Sequence, residues 1–277
     1  GQVFLTNGSD DILNFAFMAF GADGAVFPTL TYSFYPVFAN LHGVAYETVP
    51  LREDFTLDVA EMQGKGKLTV FPNPNAPTGI ALPLDQVEAI VAANPDHVVV
   101  VDEAYVDFGA DSAVPLLQRY ENLLVVMTYS KSRSMAGARL GFALGSRALI
   151  QDLEKLKYST NPYNVNRLTL KLGQAAVDSD GYFREKAREI MATREKTAQA
   201  LRALGFTLPD SQANFLFVAH PKVAGETLYR KCKEKGVLIR HFSDPAIAAY
   251  NRVTIGTPAE MEAFLAVVQT ILKEEGA

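Results

Sequence analysis

The sequence has a single cysteine, Cys232, so no disulfide can form within the chain and cysteine-rich metal sites are excluded. Cys232 reads as a packing residue on a helix over residues 222–235. The four histidines, His42, His97, His220 and His241, are scattered and show no metal-ligand spacing, so no metal is expected. Basic residues are not in excess: 26 Lys and Arg stand against 31 Asp and Glu, a net charge of −5. A general nucleic-acid binder carries a basic surface, so no nucleic-acid partner is expected. No run approaches the ~18 unbroken apolar residues of a membrane span, so no membrane partner is expected either. The chain opens on Val3-Phe4-Leu5, a strand-like run, rather than on a secretory signal. A reduced, cytoplasmic setting is the resulting expectation.

What remains is ordinary globular composition, with 48% hydrophobic and 21% charged residues. That rules out intrinsic disorder. A chain of 277 residues can bury a full core unaided and suits one large domain or two smaller ones. Short β-branched runs at residues 25–27, 68–71, 98–101, 123–127 and 140–144 alternate with amphipathic stretches at 10–20, 33–41 and 84–93. This alternation predicts an α/β fold with a mostly parallel sheet flanked by helices, its strands buried on both faces. The second half changes character. A charge-rich helix over 182–204, read as a solvated face, ends at Gly205. Strands at 214–218, 237–240 and 253–255 then alternate with helices at 224–235 and 258–274, as in a small α+β domain. The expected division is a large domain over 1–160 and linking helices plus the small C-terminal domain over 161–277.

In open α/β sheets ligands bind beyond the carboxyl ends of the strands. Asn7-Gly8-Ser9-Asp10 follows the first strand and opens a helix, whose free N–H groups suit a phosphate. Taken alone, the motif reads rather as a plain N-cap by Ser9 or Asp10, because such caps are common. Asn73-Pro74-Asn75-Ala76-Pro77-Thr78-Gly79 is a rigid loop. Asp102 ends a buried strand, where an acid needs a cation, either a protonated ligand nitrogen or a structural salt bridge. Lys131 follows another buried strand among Ser, Ala and Gly residues, where a desolvated lysine loses its proton and becomes a nucleophile. Arg139, eight residues on, presents a fork suited to a phosphate dianion. Phosphate loop, acid, lysine and arginine are together the requirements of pyridoxal 5′-phosphate (PLP).

The run Thr128-Tyr129-Ser130-Lys131-Ser132-Arg133-Ser134-Met135-Ala136-Gly137 resembles the lysine signature of the class II, fold-type-I PLP-dependent aminotransferases. Pro162-Tyr163-Asn164-Val165-Asn166, Ala213-Asn214-Phe215, the stretch Val237 to Phe242, and Arg252-Val253-Thr254-Ile255-Gly256-Thr257 resemble the histidinol-phosphate branch. The resemblance implies that Lys131 bonds the cofactor's aldehyde and shuttles the substrate's Cα proton. Asp102 would pair with the ring nitrogen, Tyr105 with the ring O3′, and Tyr32 would stack on the ring. Gly8, Ser9, Asp10, Ser130 and Arg139 would hold the phosphate. Arg252 would bind the substrate carboxylate and Arg240 the substrate phosphate. The family shows Asn directly before Pro-Thr-Gly; here that position is Ala76, and either Asn75 substitutes through a shifted backbone or that contact is missing. The resemblance also implies a homodimer, and a segment upstream of Gly8 that reaches across it.

The implied reaction is transamination of L-histidinol phosphate, the small-molecule amino donor, with 2-oxoglutarate as the 2-oxo acid. Alternatives are an aromatic amino-acid aminotransferase, a PLP-dependent decarboxylase of a phosphorylated amino acid, and a ligand-binding module without turnover. A nucleotide-binding protein ranks last, for want of G-x-G-x-x-G after the first strand. Tyr32, Phe34 and Tyr35 also fit a core aromatic stripe, the preferred reading for Phe34. Tyr163 fits either core or site. Arg240 and Arg252 also fit structural ion pairs.

Overall fold

The computed structural model describes residues 1–277. Seven strands form the first sheet: β1 (Val3–Thr6), β2 (Ala25–Pro28), β3 (Tyr46–Val49), β4 (Leu68–Pro72), β5 (Val99–Asp102), β6 (Leu123–Thr128) and β7 (Gly141–Gly145), in the order β1-β7-β6-β5-β4-β2-β3. Strands β3, β2, β4, β5 and β6 pair in parallel, while β7 runs antiparallel to both β6 and β1. Strands β4 and the Val-rich β5 are buried at every residue, as strands covered on both faces must be. Strand β1, at the sheet edge, alternates buried and exposed.

Helices α1 (Ser9–Phe20), α2 (Tyr35–Leu41), α3 (Leu84–Ala92), α4 (Arg147–Thr160), α5 (Arg167–Asp178) and α6 (Asp180–Ala203) follow in chain order. One face of the sheet carries a core including Ile12, Phe17, Phe27, Tyr35 and Leu153; the other packs Val87, Ile90, Val99 and Val101. The second sheet is antiparallel: β8 (Phe215–Ala219), β9 (Arg240–His241) and β10 (Tyr250–Thr254), in the order β8-β10-β9. Helices α7 (Gly225–Glu234) and α8 (Pro258–Glu275) cover it with the end of α6, giving a separate core around Leu201, Leu228, Cys232 and Phe264. Helix α8 starts on a capping box, Thr257 and Glu260 each bonding the other's backbone N–H, with Pro258 in the first turn. No helix is long and apolar enough to cross a membrane.

Three expectations are corrected. Residues 237–239 do not pair as strand; only Arg240 and His241 join the ladder, opposite Arg252 and Asn251. Val237 and Ile239 still pack on the small core while Leu238 is exposed, so the alternation persists without a ladder. Strand β3 and helices α4 and α5 lie where no element was assigned. Helix α4 buries Leu149, Ile150 and Leu153 and packs Leu156 beside them, a narrow apolar face in a charged segment. Finally, α6 is not solvated throughout: Arg194 is buried, and its Nη1 donates to the carbonyls of Phe108 and Ala213, each at 2.8 Å.

Candidate functional site

The parallel strands β4, β5 and β6 deliver their ends to one edge of the large sheet. Strand β7 runs the other way, so its beginning lies at that same edge. Pro72, Asp102, Thr128, Ser130, Lys131 and Arg139 are thereby brought together with Ser9 and Asp10 at the start of α1. With Tyr32, Ala76 and Tyr105 they line a cavity of about 130 Å³.

Asp102 is the best enclosed ionisable group there. Its Oδ2 accepts the Tyr35 hydroxyl at 2.9 Å and its Oδ1 accepts the Ala104 N–H at 3.2 Å. Burial pushes its carboxyl up to about 6; the Tyr35 and Ala104 hydrogen bonds and the Lys131 charge pull the other way, and Asp10 adds to the rise. The next residue, Glu103, is also buried and rises to about 7, although Ser112 and the Ala113 N–H both donate to it.

Helix α1 begins on Gly8, at φ 89° and ψ 167°, with no side chain capping it. The ordinary N-cap by Ser9 or Asp10 is therefore not formed, and the helix start faces the cavity open. A Cβ on Gly8 would run into the Arg139 guanidinium, so the loop and the arginine are packed together as one cradle. Asp10 sits inside it: Oδ1 accepts the Tyr32 hydroxyl at 2.8 Å and Oδ2 faces Arg139 Nη2 at 3.2 Å. Burial first, and then Asp10, hold the Tyr32 hydroxyl protonated well above its usual range. Ser130 accepts from the Thr128 hydroxyl at 2.9 Å.

Lys131 stands at the mouth, exposed, with Nζ 5.4 Å from the centre of the Tyr105 ring. The desolvation expected of it is absent, because the small residues around it leave it uncovered. Tyr105 packs edge-on to Phe215, 5.0 Å between ring centres, which brings the second sheet to the cavity wall.

Arg240 and Arg252 are directly paired across β9 and β10 and line an adjoining cavity of about 710 Å³. Tyr32 and Ala76 belong to both cavities. The arginines lie over aromatic rings rather than against carboxylates: Arg240 is 5.6 Å from the Phe242 ring centre and Arg252 is 5.0 Å from that of Phe215. The Arg252 Nε is buried without a partner, so the structural ion pair is not what this side chain makes.

Two expected placements fail. Asn75 lines neither cavity; its amide donates to the Leu30 carbonyl at 3.2 Å and to Thr78 Oγ1 at 3.1 Å, and Ala76 forms the wall instead. Phe34 is not core: it is 46% exposed and stacks on Tyr32, while Tyr35 is the fully buried ring of that stripe. Tyr163 is 90% exposed, hence not core. Sequence reasoning missed Tyr35 as a partner of Asp102. Its spacing to Phe38 and Ala39 marks a core face, and nothing in that pattern reveals a polar partner.

An α/β sheet that gathers a lysine, a buried carboxylate and an uncapped helix start with an arginine defines a site for a phosphorylated, electron-accepting cofactor. The chain belongs to the aminotransferase class I and II family, whose model matches residues 1–268. It is 50% identical over 275 residues to histidinol-phosphate aminotransferase 1 of Bordetella parapertussis, covering 98% of this chain and 77% of that protein. It is 46% identical to the histidinol-phosphate aminotransferase of Brachyspira hyodysenteriae, over 98% of this chain and 78% of that one. Its fold matches the histidinol-phosphate aminotransferase of Sinorhizobium meliloti, solved in complex with pyridoxal-5′-phosphate, with a TM-score of 0.85 at 22% identity, over 99% of this chain and 77% of that one.

Proposed function

We propose that this chain catalyses the PLP-dependent transamination of L-histidinol phosphate with 2-oxoglutarate, in histidine biosynthesis. One observation carries the substrate assignment: two arginines free of carboxylate partners, Arg240 and Arg252, face a cavity that shares Tyr32 and Ala76 with the Lys131 cavity. A substrate that brings a phosphate, followed by one that brings carboxylates, makes use of both. The relatives named histidinol-phosphate aminotransferase support the same reading.

The residues present fit PLP. The cradle of Gly8, Ser9 and Arg139 is a set of donors that a Cβ would fill, and the start of α1 is left uncapped. When bound, the cofactor supplies an aldehyde that bonds an amine and a ring that accepts the electrons released at Cα. The protein's own part is as follows. Ser9, Asp10 and Ser130 supply N–H and hydroxyl groups and Arg139 its charge to the phosphate. Asp102 holds a negative charge where a ring nitrogen is to be kept protonated. Tyr105 donates its hydroxyl to the ring oxygen, and Tyr32 covers the ring face. Lys131 Nζ provides the amine for attachment and then carries the proton away from Cα and back, a general acid–base role. Arg252 meets the carboxylate of 2-oxoglutarate and glutamate and the phosphate of histidinol phosphate in turn, and Arg240 adds to the hold on that phosphate, by charge-assisted hydrogen bonds.

Residues 1–160 form the large domain and residues 161–277 the linking helices and small domain, a division supported by the two sheets and their separate cores. The working form is a cytoplasmic homodimer. Helix α5 exposes Leu168 and Leu172 on one side and Leu170 and Val177 on the other, and Tyr163 and Tyr182 flank it, apolar surface suited to a second copy of this chain.

The test is borohydride reduction of PLP-loaded protein followed by peptide mapping, with rates on histidinol phosphate and phenylalanine compared. Label on the Lys131 peptide and a preference for histidinol phosphate are expected; Lys131→Ala loses both label and turnover. A folded protein that stays colourless in excess PLP, or one that prefers phenylalanine, overturns the assignment.

A further inference from the structure

Asp102 has a partner that the reaction's usual cast does not require. Tyr35 belongs to the first turn of α2, 67 residues away in sequence, and its side chain is fully buried. Its ring is packed by Phe27 at 5.8 Å, Tyr32 at 5.7 Å and Phe17 at 6.5 Å between centres. Only its hydroxyl needs a polar partner, and that partner is Asp102 Oδ2. With Oδ1 accepting from Ala104, both carboxylate oxygens are held and the side chain is confined to one orientation.

We propose that Tyr35 is a positioning residue: its buried hydroxyl keeps Asp102 ionised and fixed so that the carboxylate, rather than the carboxylic acid, meets the cofactor's ring nitrogen. This rests on the PLP reading above. Opposing effects meet at Asp102. Burial drives Asp102 toward the neutral acid, and the first effect against it is the Tyr35 hydrogen bond. The other groups around Asp102 are Asp10 on α1, which adds to the burial effect, the Ala104 N–H, and Lys131 beyond β6, which opposes it. Glu103, the neighbour in sequence, spends its own acceptors on Ser112 and Ala113. Lys131 is exposed, so solvent screens its charge and its help is the smallest of the three. Tyr35 and Ala104 are the two groups that donate hydrogen bonds to it. A neutral Asp102 would leave a shared proton on the carboxyl, and the ring would draw electrons from Cα less strongly.

The experiment begins with borohydride fixation of PLP on wild-type Lys131, so that failure of the PLP reading shows before Tyr35 is touched. Tyr35→Phe is then compared with wild type by carboxyl-carbon NMR of Asp102 in the apoprotein and by ¹⁵N NMR of ring-labelled PLP in the holoenzyme. A hydrogen bond to an ionised group corresponds to an upward shift of about one to two pKa units in Asp102 when it is removed. The ring ¹⁵N signal should move toward that of the unprotonated ring, and kcat should fall at least tenfold with little change in KM. In an Asp102→Asn background the same substitution should have no further effect on the ring signal. An unchanged Asp102 titration and ring signal in folded Tyr35→Phe overturns the proposal. Should Tyr35→Phe fail to fold, 3,5-difluorotyrosine at position 35, a stronger donor of the same shape, should lower the Asp102 titration; no movement there overturns it equally.

Discussion

The cradle at the start of α1 can be tested by adding one methyl group. Gly8 sits at φ 89° and ψ 167°, a conformation essentially reserved for glycine, so Gly8→Ala costs about 1–3 kcal/mol in backbone strain alone. The added Cβ also overlaps the Arg139 guanidinium, with Cζ at 3.0 Å. The far end of an arginine can move, and that movement is the functional damage, because it takes the charge out of the cradle. Loss of a charge-assisted hydrogen bond of about 1.5–3 kcal/mol weakens PLP roughly ten- to 150-fold. Gly64→Ala is the control: Gly64 has φ +60° but open space around its Cβ, so it meets backbone strain without a clash. PLP affinity would be read from absorbance titration, and stability from thermal unfolding without cofactor. The expected result is that both variants lose stability and only Gly8→Ala loses PLP affinity. A Gly8→Ala affinity within threefold of wild type, or an equal loss in Gly64→Ala, would refute the reasoning.

Arg240→Ala should raise the KM for histidinol phosphate roughly tenfold or more while that for 2-oxoglutarate changes little, and Arg252→Ala should harm both half-reactions; steady-state kinetics on each substrate checks this. The raised Asp102 and Glu103 carboxyls bind protons in the fold that the unfolded chain has already released, so apoprotein stability should fall as pH rises from about 4 to about 7, which urea unfolding across that range would show. Asp102→Asn removes its share, at most about 3 kcal/mol from a rise of about two units. The variant should therefore be the more stable apoprotein at pH 8, with no advantage at pH 4. Replacing Leu168 and Leu172 together by Asp should shift the protein toward monomer in equilibrium sedimentation, and an unchanged mass would remove α5 from the interface.

The large sheet was legible because strands covered on both faces carry apolar residues without polar alternation, as residues 98–101 show and 68–71 show with Thr69 as the one polar member. Asp102 and Lys131 were legible because each sits at or just after the end of such a strand, where topology alone sends it to the ligand edge; Arg139 was legible only by its closeness in sequence to Lys131, since it precedes the reversed strand β7. The failures share a cause. The hydroxyl of Tyr35 and the guanidinium of Arg194 find partners 67 and 86 residues away, and no local pattern records such pairings. Within its own helix each looks like something else, a core aromatic and a surface cation. The stretch 237–239 has the residues of a strand, yet ladder formation needs a neighbour in register, and β10 reaches only Arg240 and His241. Asn75 was misplaced because adjacent loop residues point apart, and the wall position falls to Ala76.

The reversed direction of β7 sets a constraint on loop length. Were β7 parallel to β6, its first residue would lie at the far edge of the sheet, a strand of five residues away, roughly 17 Å at about 3.3 Å per residue. Arg139 would then share nothing with Lys131. Because β6 and β7 are joined antiparallel, with Thr128 opposite Gly141, the segment from Tyr129 to Leu140 is the arch of a hairpin whose two feet are locked in register. Lys131, the proposed covalent anchor, stands near one foot and Arg139, the proposed phosphate partner, near the other. The span between aldehyde and phosphate is therefore measured off by the ladder rather than by the arch. Residues inserted at the crown of the arch, near Ser134, would leave that measure untouched, whereas a one-residue slip of β7 against β6 would turn Arg139 to the opposite face and leave the cradle without its charge.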